Sequence, residues 1–260
     1  MPSINPTAEP AFLRSELLGS IGITAIFSER TGGISPPPFN SLNLGYNIGD
    51  SRENIKANLT RLTEAAGFSE RPHQTEQVHG VDHFICSGSG SLHSDQADIL
   101  ISNEATSSIA VRTADCLPIL MADPVNRIIA AVHAGWRGTA AGVAIKAVEQ
   151  MLKMGAEQKH LHASMGPAIG PCCFKVDSDT AEALKISVHG AGLATVYSPE
   201  PHPNLVAINR LQLQEMGLTE DHIEALDICS CCHPDRFYSY RRDHGTTGRH
   251  LAVVALPEAL

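Results

Sequence analysis

Residues 108–138 decide the fold, and their sequence is SIAVRTADCLPILMADPVNRIIAAVHAGWRG. They contain three apolar runs of strand length, at residues 108–113, 117–121 and 128–132, with turn-forming residues between them. Because these runs are too apolar for a sheet with one solvated face, we predict central strands of a sheet covered on both sides. Residues 138–154 then show the spacing of an amphipathic helix. Together these patterns predict an α/β or α+β fold.

The rest of the chain shows no internal repeat and no linker that would divide it. We therefore expect one domain over residues 1–260, with a flexible N-terminus at residues 1–19. Further strands are predicted at residues 23–27, 75–78, 83–86, 97–101, 161–165, 236–240 and 250–256. Further helices are predicted at residues 52–66, with Asp50 or Ser51 as the N-cap, and at residues 179–184 and 204–216.

The charge balance narrows the class of partner. Lys and Arg number 19 and Asp and Glu number 28, which gives a net charge of −9. A negative net charge disfavours binding to nucleic acid or to an anionic membrane surface, so we expect a small-molecule partner. The first 18 residues are interrupted by charges, unlike a secretory signal, and no apolar run approaches the roughly 20 residues that span a bilayer. We therefore expect a cytoplasmic protein, and no pattern indicates its oligomeric state.

Three residues that suit metal binding stand at the ends of predicted strands. His79, Cys116 and His133 each end an apolar run and are followed by a turn. Two imidazoles and one thiolate form a zinc site with one open position, and the same ligands also suit copper. Such a site lowers the pKa of a bound water to about 7. Asp115, beside Cys116, would orient an imidazole or accept a proton.

Two other interpretations of these residues stay open at this point. Cys116 could be a nucleophile with His133 as its base, and His79 would then orient or polarise the substrate. This interpretation predicts a covalent intermediate. Alternatively, the three residues could be unrelated polar groups at strand ends. The second histidine favours the metal site.

The segment at residues 237–249 is a candidate anion site. It combines Arg241, Arg242 and Arg249 with a glycine-bearing turn that is rich in hydroxyl groups. Arginine forks and exposed backbone amides together bind phosphate or carboxylate. The alternative is a solvated hairpin whose arginines pair with acidic neighbours.

The cysteines form two further groups along the chain. Seven are present, and five of them stand close together in Cys172-Cys173 and Cys229-Ser230-Cys231-Cys232. An odd number of cysteines without an export signal favours reduced thiols. Because the chain lacks the two Cys-x-x-Cys pairs of a zinc ribbon, we interpret these groups as small buried thiols, with a second metal site as the alternative.

The motifs together resemble those of one family. They are Thr31-Gly32-Gly33, Ser41-Leu42-Asn43-Leu44-Gly45, Gln77-Val78-His79-Gly80, Ala114-Asp115-Cys116-Leu117-Pro118, His133-Ala134-Gly135-Trp136-Arg137-Gly138, Gly166-Pro167-Ala168-Ile169-Gly170 and Arg241-Arg242-Asp243. From about residue 20 to 256 the chain resembles the bacterial purine nucleoside phosphorylase family, formerly called multicopper polyphenol oxidase or laccase-domain proteins and also peptidoglycan editing factor.

The resemblance implies a fold and a set of site residues. The implied fold is a four-layer α/β/β/α sandwich with mixed sheets, similar to the catalytic domain of cytotoxic necrotizing factor. The implied metal is zinc, bound by His79, Cys116 and His133, with Asp115 among the catalytic residues. The implied substrate-binding residues are Asn43, Arg137, Arg241, Arg242 and Arg249.

The resemblance also implies several activities. One is phosphorolysis of adenosine, inosine and S-methyl-5′-thioadenosine to the free base and ribose 1-phosphate or, from the last, methylthioribose 1-phosphate, with possible adenosine deamination beside it. The alternatives are cysteine-dependent amide hydrolysis, which removes misincorporated L-Ser from the cell-wall precursor UDP-MurNAc-L-Ser, and copper-dependent oxidation of phenols. Laccase chemistry requires several copper ions held largely by histidines, and the single His-x-His pair, His160 and His162, disfavours it.

Overall fold

The computed structural model describes residues 8–188 and 201–258. Its strands are β1 (Phe12–Arg14), β2 (Thr24–Ser28), β3 (Gln74–Glu76), β4 (His83–Ile85), β5 (Leu92–Gln96), β6 (Ile99–Ser102), β7 (Ser108–Thr113), β8 (Leu117–Asp123), β9 (Ile128–Ala134), β10 (His162–Met165), β11 (Ile223–Ala225) and β12 (His250–Ala255). Its α-helices are α1 (Glu16–Ser20), α2 (Arg52–Ala66), α3 (Trp136–Ala140), α4 (Val143–Lys153), α5 (Ser178–Ile186) and α6 (Leu205–Glu215). Short 3₁₀ turns occupy Gln158–His160 and Glu220–His222.

The strands form two main sheets and one small one. The first main sheet has the order β1-β2-β12-β7, and its neighbouring strands are antiparallel. The second has the order β11-β10-β8-β9-β6-β4 and is mixed, because its outermost pairs are parallel and its inner pairs antiparallel. Strands β3 and β5 form a separate parallel pair.

The two main sheets pack face to face and helices cover their outer faces. Phe27 and Val254 of the first sheet share an apolar core with Leu120 of the second. Helix α2 covers the outer face of the first sheet through residues such as Leu62. Helices α4 and α6 cover the outer face of the second sheet, where Val148 packs into the same core as the inner strands. The layer order is therefore α/β/β/α, which confirms the predicted fold class.

The central strands position the candidate site. Every residue of β8 and β9 is buried, as predicted for strands inside a covered sheet. These two strands pair with Leu117 opposite Ala134 and Pro118 opposite His133. Cys116 directly precedes β8, so this register brings its side chain to the same edge of the sheet as His133.

Two predicted elements differ from the structure. The helix predicted at residues 138–154 is two helices, α3 and α4, because Gly142 between them adopts a left-handed conformation with φ of 76°. The strand predicted at residues 236–240 is irregular, although Phe237 and Tyr238 are buried. The backbone N–H of Tyr238 donates to Nε2 of His250 at 2.7 Å instead of to a neighbouring strand.

Part of the N-terminal region forms regular secondary structure. Strand β1 pairs with β2, and the Ser15 hydroxyl caps α1 by accepting from the backbone N–H of Leu18 at 3.0 Å. Residues 12–14 and 16–20 thus form β1 and α1, and residues 1–7 lie outside the described range. The flexibility of residues 1–19 stays a prediction. Within the described residues, every helix is too short or too polar to cross a bilayer.

Candidate active site

A cavity of about 950 Å³ opens where β7 and β9 end and β8 begins. Seven of the residues singled out in the sequence line it: His79, Asp115, Cys116, His133, Arg137, Arg241 and Arg249. Its other polar lining residues include Gln77, His93 and Arg112, and its aromatic lining residues are Tyr46, Trp136, Phe174 and Tyr240. The cavity therefore combines a histidine–cysteine group, arginines and aromatic surfaces.

The structure brings His79, Cys116 and His133 together. The Sγ atom of Cys116 lies 3.8 Å from Nε2 of His79, and the candidate ligand atoms of the three residues all lie within 4.8 Å of one another. The two imidazole rings meet edge to face, with centroids 4.8 Å apart. The three side chains differ in exposure, since His133 is buried, Cys116 is half-buried and His79 is exposed. The convergence that a metal site requires is therefore present.

Asp98 organises this group, and sequence reasoning missed it. The Asp98 carboxylate is fully buried and accepts from Nδ1 of His133 at 2.7 Å. It also accepts from the backbone N–H groups of Val78, His79 and Gly80, at 3.1, 3.0 and 2.7 Å. Because Nδ1 of His133 donates to this carboxylate, Nε2 is the ring nitrogen that can bind a metal when the imidazole is neutral.

The electrostatics of the site favour a cysteine thiolate. Burial by itself would raise the pKa of Cys116, but the charge on His133 and hydrogen bonds from both imidazoles lower it to about 6. Burial by itself would lower the pKa of His133, but the Cys116 thiolate and Asp98 raise it to about 9. The thiolate is the form of cysteine that binds metals and attacks electrophiles.

The three residues also fit a metal by their donor types and packing. One thiolate and two imidazoles are ligands that zinc and copper both accept. Gly135 lies so close that a Cβ built on it would stand 2.7 Å from Cδ2 of His79 and 3.1 Å from Sγ of Cys116. The backbone at this position therefore packs directly against two of the candidate ligands and leaves no room for a side chain.

Asp115 does not make the imidazole contact that the sequence suggested. Its carboxylate accepts from the hydroxyls of Ser230 at 2.7 Å and Ser239 at 3.0 Å, and from the backbone N–H of Arg241 at 2.7 Å. Its backbone carbonyl accepts from the N–H of Ile169 at 2.9 Å. The acid that orients His133 is Asp98, whereas Asp115 holds three loops together beneath Cys116.

Asn43 is fully buried and does not line the cavity. Its side-chain oxygen accepts from the backbone N–H groups of Gly45 and Arg249, at 3.0 and 2.9 Å, and its amide nitrogen donates to Asp50 at 2.8 Å. These contacts occupy the polar side chain that was expected to bind substrate. Asn43 instead fixes the backbone of Arg249, which does line the cavity.

The arginines differ in what they offer to a ligand. Arg242 does not line the cavity, because its guanidinium forms a two-pronged ion pair with Asp243 and donates to the carbonyls of Ser230, Cys231 and Phe237. Arg249 donates through Nη1 to the carbonyls of Thr247 and Gly248, and its Nε and Nη2 donors have no hydrogen-bond partner among residues 8–188 and 201–258. Arg112 was not singled out in the sequence, and it lines the same cavity.

The other cysteines are not the buried thiols that the sequence analysis expected. Cys172 and Cys232 are exposed, and Cys173, Cys229 and Cys231 are half-buried. Only Cys86 is buried among the seven. The Sγ atoms of Cys172, Cys173, Cys229 and Cys232 lie within 4.8 Å of one another.

The family model described as multi-copper polyphenol oxidoreductase laccase matches residues 24–257. The chain belongs to this family. Despite the multi-copper description, the described residues gather only two groups of possible metal ligands, the three around Cys116 and the four cysteines above. The family name therefore does not by itself indicate laccase chemistry.

Several relatives with curated names cover most of the chain. A protein of Geobacillus stearothermophilus named purine nucleoside phosphorylase YlmD is 34% identical over 275 residues. The alignment covers 99% of that protein and 99% of this chain. Purine nucleoside phosphorylase YfiH of Shigella flexneri is 36% identical, with 90% of this chain and 94% of that protein covered. Human purine nucleoside phosphorylase LACC1 is 34% identical over 241 residues. The alignment covers 89% of this chain and 55% of the length of LACC1.

Solved structures show the same fold. The crystal structure of YlmD from Geobacillus stearothermophilus superposes with a TM-score of 0.86 at 32% identity, covering 99% of this chain and 100% of that one. The crystal structure of the Bacillus licheniformis hypothetical protein YfiH superposes with a TM-score of 0.85 at 26% identity, covering 97% and 98%. The likeness to cytotoxic necrotizing factor stays a prediction.

Proposed function

We propose that this chain is a zinc-dependent purine nucleoside phosphorylase that cleaves adenosine, inosine and S-methyl-5′-thioadenosine with phosphate. The observation that carries the proposal is the composition of one cavity, in which a His-Cys-His group, arginines and aromatic side chains line the same space. The names of relatives that cover nearly the whole chain support it. We further propose a cytoplasmic location and adenosine deamination as a second activity of the same site.

Phosphorolysis requires groups in the cavity that bind phosphate, orient the nucleoside and assist departure of the purine. The C1′–N9 bond of the nucleoside breaks, a bond from C1′ to a phosphate oxygen forms, and the electron pair leaves on the purine, which takes up a proton. Zinc held by His79, Cys116 and His133 would supply Lewis acidity to polarise the substrate, or to activate water in the deamination. Asp98 keeps His133 in the orientation that binds a metal through Nε2.

The remaining lining residues suit the two substrates. The Nε and Nη2 donors of Arg249, which no other described residue engages, match the oxygens of phosphate, for which arginine forks are well shaped. The backbone N–H of Arg249 donates to the side-chain oxygen of Asn43 at 2.9 Å. This contact fixes the backbone position from which the guanidinium of Arg249 extends. Tyr46, Trp136 and Tyr240 offer apolar faces on which a purine base can stack.

A second candidate function rests on a different observation at the same site. Cys116, His133 and Asp98 form a chain of thiol, imidazole and carboxylate, which is the arrangement of an activated cysteine nucleophile. This candidate is a cysteine-dependent amide hydrolase that edits peptidoglycan precursors. It predicts turnover by metal-free protein and a covalent adduct on Cys116, and the zinc-dependent phosphorylase predicts neither.

The experiment that tests the proposed function measures product formation with and without metal. Protein is incubated with inosine and phosphate, and hypoxanthine and ribose 1-phosphate are quantified by chromatography. We expect equal amounts of the two products, loss of turnover after treatment with a chelator, and recovery on addition of zinc. Absence of hypoxanthine, or undiminished turnover by metal-free protein, would contradict the proposal. Elemental analysis and recovery with copper distinguish zinc from copper.

Replacing Arg249 with alanine is expected to weaken phosphate binding. Hydrogen bonds to charged groups contribute about 1.5–3 kcal/mol, so the KM for phosphate should rise roughly 10- to 100-fold. The KM for inosine should change much less. Steady-state kinetics with phosphate varied at saturating inosine measure the effect, and Arg52→Ala, at an exposed position on α2, is the matched control. An unchanged KM for phosphate would show that Arg249 does not bind it.

Replacing Gly135 with alanine is expected to weaken metal binding without removing a ligand. The added Cβ would collide with the ring of His79 and the sulfur of Cys116. Crowding of this kind costs about 1–3 kcal/mol, so zinc affinity should fall by roughly 5- to 150-fold. Competition with a chromophoric chelator measures the change. Gly19→Ala is the control, because a Cβ at Gly19 meets no atom within 4 Å, and a fall of equal size there would contradict this explanation.

A further inference from the structure

A second group of sulfur atoms lies outside the cavity, where two loops meet. Cys172 and Cys173 belong to the loop after β10, and Cys229 and Cys232 belong to the loop after β11. All four Sγ atoms lie within 4.8 Å of one another. The Sγ atom of Cys232 is 3.5 Å from that of Cys172 and 3.4 Å from that of Cys173. Four sulfurs thus converge from chain segments about sixty residues apart.

The spacing of these sulfurs suits one tetrahedral metal ion. Zinc binds thiolates at about 2.3 Å, which places the sulfurs of a regular tetrahedron roughly 3.8 Å apart. The observed separations, from 3.4 Å up to 4.8 Å, bracket that value. Four sulfurs this close leave room for one ion, whereas a cluster with several irons and sulfides needs ligands that stand further apart. A single ion with four soft ligands is typical of structural zinc.

The backbone around the four cysteines is already held in place by other contacts. The N–H of Gly170 donates to Sγ of Cys229 at 3.2 Å, a contact that favours a thiolate. Ala168 and Cys229 form a β-bridge, and the N–H of Ser230 donates to the carbonyl of Ala168 at 2.9 Å. The loops therefore present the sulfurs to one another without depending on a bond between the sulfurs themselves.

We propose that Cys172, Cys173, Cys229 and Cys232 bind one Zn²⁺ ion as a closed structural site. Four protein ligands fill the coordination of zinc, so this ion has no open position for a substrate. Its effect is to fasten the loop after β10 to the loop after β11. That junction supports the wall of the cavity, because Phe174 lines the cavity and Arg241 donates to the carbonyl of Cys173 at 3.3 Å.

The test counts metal ions in the full chain and in single variants. Wild-type protein, purified under reducing conditions without added chelator, should contain two zinc ions per chain by elemental analysis. Cys172→Ser and Cys232→Ser should each lower the count by one. Cys231→Ser is the matched control, because Cys231 lies in the same loop but outside the group of four, and it should retain two ions. Cys116→Ala should lose the other ion and keep this one, which separates this proposal from the proposed function.

A second measurement keeps the proposal testable if a variant fails to fold. Wild-type protein loaded with cobalt should show thiolate-to-cobalt charge-transfer absorption far stronger than the single thiolate of Cys116 accounts for. Four outcomes would overturn the proposal. They are no zinc in wild-type protein or a single zinc that Cys116→Ala abolishes, a count unchanged in both Cys172→Ser and Cys232→Ser, iron in place of zinc, and a disulfide among the four cysteines found by mass spectrometry of the metal-loaded protein.

Discussion

Replacing Cys116 with alanine is expected to lower kcat/KM for phosphorolysis of inosine by about 1,000-fold or more. The change removes the only sulfur among the three proposed ligands around His79 and His133. Lewis-acid stabilisation by a bound metal contributes several kcal/mol, and each 1.36 kcal/mol corresponds to about tenfold in rate. Chromatography of hypoxanthine measures the rate, and elemental analysis should show one zinc fewer per chain.

The control for this prediction is Cys86→Ala, which removes a buried thiol from the core between the two sheets. It should lower stability while keeping activity within a few-fold of wild type, since Cys86 does not line the cavity. Cys116→Ala protein that keeps more than a tenth of the activity would exclude Cys116 both as an essential ligand and as a nucleophile. Loss of activity with zinc fully retained would favour the nucleophile.

Replacing Asp98 with asparagine is expected to weaken both metal binding and folding. The carboxylate accepts hydrogen bonds from His133 and from three consecutive backbone N–H groups. In asparagine one of the two side-chain oxygens is replaced by an amide nitrogen, which is a donor, so some of these four donors would lose their acceptor. Carboxylates that orient a metal-binding histidine typically contribute 10- to 100-fold to metal affinity. Because Asp98 is fully buried, the free energy of unfolding should fall by about 3 kcal/mol or more.

Two measurements separate these effects. Zinc competition with a chromophoric chelator reports the affinity, and denaturant unfolding of metal-free protein reports the stability. Asp95→Asn is the matched control, since Asp95 is an exposed carboxylate on β5, three residues away. Asp98→Asn protein with wild-type zinc affinity would show that Asp98 does not orient the ligand. A stability loss without an affinity loss would assign it a folding role alone.

Much of the fold follows from local patterns in the sequence. Helix α2 occupies the predicted residues, Arg52–Ala66, because its apolar stripe and the Ser51 cap are both visible in the sequence. Strand β7 also matches its prediction, Ser108–Thr113, because a strongly apolar run between turns admits few alternatives. The break at Gly142 was missed because a left-handed glycine is indistinguishable in sequence from one that a helix tolerates. Strand β5 was missed because its residues are mostly polar and exposed.

The candidate site was predicted in part, and the limits have a physical cause. His79, Cys116 and His133 stood out because each has distinctive chemistry at the end of an apolar run. Asp98 was missed because its importance depends on contacts with residues 18 to 35 positions away along the chain. Only the folded structure shows that Arg242 is occupied by protein groups. The Cys-x-x-Cys spacing of residues 229 and 232 was an available signal for the four-cysteine group.

The position of β12 in the first sheet has a consequence for how the protein is made. β12 lies between β2 and β7, more than 130 residues after the end of β7. While the ribosome synthesises the intervening residues, the inner edges of β2 and β7 lack the neighbour that later covers them. Unpaired edges flanked by apolar side chains are prone to wrong pairing with other chains. The first sheet of this protein can therefore be completed only after β12 has emerged and inserted between β2 and β7.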